Sequence, residues 1–119
     1  QMNFLKPTLP QNGTVISHEP DYYIHKFTAT GRDANGIAYV LEAKRLAHFP
    51  DDNTALLDEA RLVQYEQDTS SRTTSGDSGL VYENGTKILL QGNVQVTQGE
   101  TDTAVGSVTS ADRMTIKLR

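Results

Sequence analysis

The chain has no cysteine. No disulfide, thiolate nucleophile or zinc–thiolate site can form, and the absence suits the cytosol and a periplasm equally. A basic surplus is missing too: 11 Lys and Arg stand against 15 Asp and Glu, for a formal net charge of −4. Proteins that coat phosphate backbones usually carry excess positive charge, so nucleic acid is not an expected partner. No apolar run approaches the roughly 18–20 residues of a membrane span. The opening QMNFLKPTLPQNG lacks the charged, apolar and small-residue layout of a secretion signal. Either the protein is soluble or its anchor and signal are expected to precede Gln1. No phosphate-cradling GxxxxGK[ST] loop occurs, so nucleotide work is expected of a partner.

Catalytic and metal constellations are equally sparse. His18, His25 and His48 share no metal-ligand spacing, and no paired carboxylates accompany them. PDDN at 50–53 begins like a calcium loop but lacks the remaining ligands and the bidentate Glu. SGDSG at 75–79 lacks the strand-turn-helix setting of a nucleophile elbow. Asn12-Gly13-Thr14 and Asn84-Gly85-Thr86 match the glycosylation sequon but read as turns. The expectation is a protein without catalytic residues, metal or cofactor.

What is present is alternation. At 119 residues the chain fits one domain, and 36% apolar residues recurring along most of it mark a lean core rather than disorder. Pro7, Pro10, Gly13 and Pro20 make 1–21 an extended arm or linker, leaving 22–119 as the folded domain. From Tyr22 the period is two. Phe27 and Ala29 lie opposite Lys26 and Thr28; Tyr39, Leu41 and Ala43 lie opposite Val40, Glu42 and Lys44. RDANG and ENGT are hairpin signals, because Asn-Gly tolerates positive φ at both central positions, and PDDN is a further turn. TALLDEARLVQYEQ has helical propensity, yet it occupies the same place in its repeat as the plainly β segment KILLQGNVQVTQ and is read as strand. TQGETDTAVG is a polar loop, and SVTSADRMTIKLR closes the chain with Met114, Ile116 and Leu118 alternating against Thr115 and Lys117.

One phrase recurs. LEAKRLAHF, TSGDSGLVY and TSADRMTIK align small residues Ala43, Gly76 and Ala111, each followed by a charge: Lys44, Asp77 and Asp112. A small residue inside a strand marks a bend or a close backbone approach. A unit with one apolar face cannot bury it alone, and stacked units bury a shared seam. The expected architecture is all-β: antiparallel strands with short turns, folded into two facing sheets.

EPDYYIHKFTATGRDANGIAYVLEAKRLAHFPDDNTALL at 19–57, SGLVYENGTKILLQGNVQV at 78–96 and VTSADRMTI at 108–116 resemble three successive repeats of the LptC family. That family is the membrane-anchored periplasmic component of the lipopolysaccharide transport machine. The later repeats are shared with its relative LptA and with the periplasmic domain of the outer-membrane translocon. The resemblance implies a twisted, V-shaped β-jellyroll in the periplasm, held to the inner membrane by an N-terminal helix that this sequence does not contain. It implies that lipopolysaccharide is received from the inner-membrane ABC transporter (LptB, LptF and LptG) and passed to LptA through edge contacts. Two further departures stand out. The stretch DTSSRTTSGD, with Arg72, is polar where the family carries an aromatic residue, and the family's domain runs on past its third repeat, so the C-terminal strands are expected to be cut short.

On this reading the acyl chains lie against Phe27, Ala29, Tyr39, Leu41, Ala43, Leu90, Val94, Val96, Met114 and Ile116. Ala29, Ala43, Gly76 and Ala111 leave room for them. The first strand, with Tyr22, Ile24, Lys26 and Thr28, is the edge that meets the transporter. The competing expectation is a β-rich scaffold that pairs with proteins through its edges and holds no lipid.

Overall fold

A computed structural model describes residues 17–66, 71–99 and 108–119. Six strands follow in chain order: β1 (Tyr22–Asp33), β2 (Gly36–Phe49), β3 (Thr54–Gln64), β4 (Arg72–Tyr82), β5 (Lys87–Gln98) and β6 (Val108–Lys117). No helix occurs among the described residues. The strands form one antiparallel sheet in the order β1-β2-β3-β4-β5-β6, leaving β1 and β6 as edges. The all-β jellyroll class therefore holds, and its two facing layers are halves of one continuous hydrogen-bonded sheet.

The halves arise from a break in alternation. In β2 the inward residues are Tyr39, Leu41 and Ala43, and then Leu46. In β3 they are Leu57 and then Ala60 and Leu62, and in β6 Ala111 and then Met114 and Ile116. A step of three in a period-two strand leaves two consecutive residues facing out. The steps fall on one line across the sheet, where ladder pairing is interrupted between His25 and Phe27, Glu42 and Arg45, Ser75 and Ser78, and Gln91 and Val94. On that line Lys26, Glu59 and Asn93 take φ of 56°, 54° and 48°, and Gly92 takes 81°. Left-handed residues and bulges bend a strand. The sheet thus folds along this line, and the recurrent small-charged pairs Ala43-Lys44, Gly76-Asp77 and Ala111-Asp112 mark it on the even-numbered strands. The outward pairs are polar and salt-linked: Lys44 to Glu59 at 3.5 Å and Arg45 to Asp58 at 3.3 Å.

Bending buries one face. Leu57, Leu62, Ile88, Leu90 and Val94 are each 0% exposed, which one face of a flat sheet cannot achieve. They form a single cluster with Leu41, Ala43, Leu46 and Ala60, drawn from both sides of the bend. Against this cluster pack Phe27, Tyr39, Ala111, Met114, Ile116 and Leu118.

The turns follow their chemistry with one exception. Glu83, Asn84 and Gly85 all have positive φ, as an Asn-Gly turn permits, and Asn53 closes the 50–53 turn at φ 55°. At the first hairpin only Gly36 is positive, at 116°. Asn35 is not, because the Asp33 carboxylate accepts a 2.8 Å hydrogen bond from its amide and holds the turn another way. β3 resolves the propensity conflict in favour of strand, since it pairs on both sides, with β2 and with β4. Most of the expected arm (1–16) and most of the 97–106 loop lie outside the described residues; β1 begins at Tyr22.

Candidate functional site

The concave face of the bent sheet brings together every residue expected against the acyl chains. Leu41, Ala43, Leu90 and Val94 are buried, and Phe27, Tyr39, Met114 and Ile116 pack on them. Ala29 stands opposite Leu41 in the ladder, and Val96 opposite Thr74, so both share this face. Leu46, Leu57, Leu62 and Ile88 belong to the same surface and were not anticipated. Leu46 lies beyond the step in alternation, and the helical propensity of 54–67 obscured Leu57 and Leu62. Only Ile88 had a legible signal, its even spacing with Leu90.

Two of the small residues, Gly76 and Ala43, do not leave space. A Cβ on Gly76 would come within 3.3 Å of the Ser78 carbonyl and 3.4 Å of the Gln91 carbonyl. Gly76 therefore admits a close backbone approach at the bend, and Ala43, 7% exposed, is packed. The interior is filled by the chain's own leucines.

It opens at one side. A cleft of about 470 Å³ lies between the far end of the first hairpin (Thr30, Gly31, Arg32, Asp33, Ala38, Tyr39) and Leu118–Arg119, which follow the opposite edge strand. Residues following β6 thus meet the far end of β1 although the two strands do not pair, the direct sign that the halves face one another. The expected partner strand is an edge. Its four named residues do not share one face: Tyr22 and Ile24 stand opposite His48 and Leu46, Thr28 stands opposite Glu42 on the outer side, and Lys26 occupies the bend.

Inside the trough the rows grade from apolar to polar. Leu41, Leu62, Thr74 and Val96 succeed one another across β2 to β5. The neighbouring row, toward the cleft, is Tyr39, Gln64, Arg72 and Gln98.

The opposite end carries the histidines. His18 stacks on Phe49 at 4.0 Å and places Nδ1 2.8 Å from an Asp51 carboxylate oxygen. His48 stacks on Tyr22, with Nδ1 2.8 Å from Asp21 and Nε2 2.9 Å from the Asn53 side-chain oxygen. Both pairs tie the entry of β1 to the turn between β2 and β3. The hydrogen bonds to Asn53 and then Asp21 raise the His48 pKa, and that to Asp51 raises the His18 pKa. Raised folded values mean that the contribution is fully present below the unfolded value of about 6.5 and is lost as pH rises through the folded value. Hydrogen exchange at the Asp21 amide, bonded to the His48 carbonyl at 2.9 Å, is therefore expected to speed up as pH passes from 6 to 8 beyond the intrinsic base catalysis; an unchanged protection factor would sink the assignment. Asp52 runs the other way. Its pKa is lowered by its hydrogen bonds with Thr54, so its contribution fades as pH falls through the lowered value.

No helix among the described residues is long and apolar enough to cross a membrane. The family model described as Lipopolysaccharide-assembly, LptC-related matches residues 4–119. No curated protein matches the chain.

Proposed function

The chain belongs to the LptC family, whose role is lipopolysaccharide transport at the periplasmic side of the inner membrane, and from that premise we propose that its concave face carries the lipid. Lipopolysaccharide is received from the inner-membrane ABC transporter (LptB, LptF and LptG) and passed to LptA, with no bond made or broken by this domain. The observation that carries the reading is the apolar interior between the two halves, with a cleft between edges that no strand covers among the described residues. Each buried methylene is worth about 0.8 kcal/mol, so a few acyl chains are enough to offset the cost of parting the halves. The free edges suit strand addition by the neighbouring components. Energy comes from nucleotide hydrolysis in the transporter.

A second reading has its own support. The interior is closed by side chains at 0% exposure, as a scaffold acting only through its edges would have it. A photocrosslinking residue at Ile116, half-buried near the edge, separates the two. Adducts with lipopolysaccharide are expected; adducts with protein alone, from a folded variant, would establish the scaffold instead.

A further inference from the structure

Two polar atoms inside the trough have no hydrogen-bond partner among the described residues: the Thr74 hydroxyl and the Gln64 side-chain oxygen. Thr74 is 0% exposed, set between Leu62 and Val96 in the ladder. A buried acceptor left unpaired costs free energy, so native chains rarely keep one without use. Beside them stands an exposed cation. Arg72 makes one long hydrogen bond, from Nε to the Gln98 side-chain oxygen at 3.4 Å, and no ion pair among the described residues. The ladder places the three together, because Arg72 pairs with Gln64 in β3 and Thr74 lies one inward position farther along β4. Tyr39, opposite Gln64, lines the cleft.

We propose that Gln64, Arg72 and Thr74 form a headgroup subsite at the polar end of the trough, for the phosphorylated and hydroxylated sugar of an amphiphile. The Arg72 guanidinium takes the phosphate as a charge-assisted, two-pronged donor. The Gln64 oxygen accepts from a sugar hydroxyl. The Thr74 hydroxyl meets the first polar group of an acyl chain, as an acceptor from an amide N–H or a hydroxyl. The lipid is thereby held in one orientation, with its sugar at the Tyr39 cleft and its chains along the Leu41, Leu62 and Leu90 rows. The polar composition of the stretch around Arg72, where the family resemblance leads one to expect an aromatic residue, becomes intelligible as a change of task at that position.

The inference rests on the lipid-carrying reading above, and the test keeps the two apart. The full chain is titrated with bis-phosphorylated lipid A and with its dephosphorylated form, as wild type, Arg72→Gln and Thr74→Val. Arg72→Gln is expected to weaken binding of the phosphorylated lipid about tenfold, with less effect at high salt, and to leave the dephosphorylated lipid unaffected. Thr74→Val is expected to raise Tm yet weaken both lipids, a combination that a purely structural threonine does not produce. Should both variants bind both lipids as wild type does, the subsite is refuted and the trough stands. Should the wild type bind neither lipid, the trough and the subsite fall together.

Discussion

Gly92→Val is expected to destabilise the fold by about 2–4 kcal/mol, the sum of a left-handed penalty for a β-branched residue and an overpacked contact. Gly92 sits on the bend line at φ +81°, and a Cβ there would lie 2.8 Å from the Asp77 carboxylate oxygen. That carboxylate already accepts a 2.9 Å hydrogen bond from the Asn93 side chain, so it cannot withdraw without losing a partner. Backbone geometry and local packing thus both reject the side chain. Urea denaturation reads the effect directly, and a loss below about 1 kcal/mol would show that β5 does not bend there. Glu59→Gly supplies the contrast. Glu59 has φ 54° and an exposed pair to Lys44. Relief of left-handed strain is offset by added chain entropy and by a surface ion pair worth little, so the net change is within about 1 kcal/mol.

Leu62→Ala is expected to cost about 3 kcal/mol, in the range for a fully buried leucine whose surroundings cannot collapse. Leu62 is 0% exposed and is packed within a cluster drawn from both halves of the bent sheet. The measurement bears on function as well as stability. A large loss means that the halves are closed on one another in the lipid-free chain, so that loading must part them and replace leucine contacts with acyl chains. A loss near 1 kcal/mol would mean that the trough already stands open at that point. With lipid bound, the Leu62→Ala penalty is expected to shrink, because an acyl chain fills the space the truncation leaves. A thermal melt with and without lipopolysaccharide checks this.

The histidine contacts, the Ile116 adducts and the Arg72 and Thr74 titrations probe other parts of the chain, more than one ladder row from Gly92. A combined picture therefore does not depend on one substitution. The bend, the closed interior and the polar row fail or survive separately.

Much of this architecture was written locally. Period-two alternation in Tyr22–Lys44 and Lys87–Gln98, with turn residues at 50–53 and 83–86, determined strands and hairpins without help from tertiary contacts. The recurrent small-charged pair at 43–44, 76–77 and 111–112 marked a bend or a close backbone approach, because a small residue is needed where backbones approach, and the structure shows the bend there. The family resemblance was legible in the blocks at 19–57, 78–96 and 108–116, and the family model extends the match to residues 4–119.

Other features were decided only in three dimensions. Local pattern cannot say whether facing layers are two sheets or one, since that depends on whether the ladder runs unbroken from β1 to β6. Nor can it settle 54–64, where helix propensity is overridden by pairing on both sides. The step in alternation at Leu46 and Leu57 comes from left-handed and unpaired residues along the bend, a collective property of adjacent strands that no single strand announces. Burial of Thr74 without a partner exists only once the two halves close, because an exposed hydroxyl would simply bond to water.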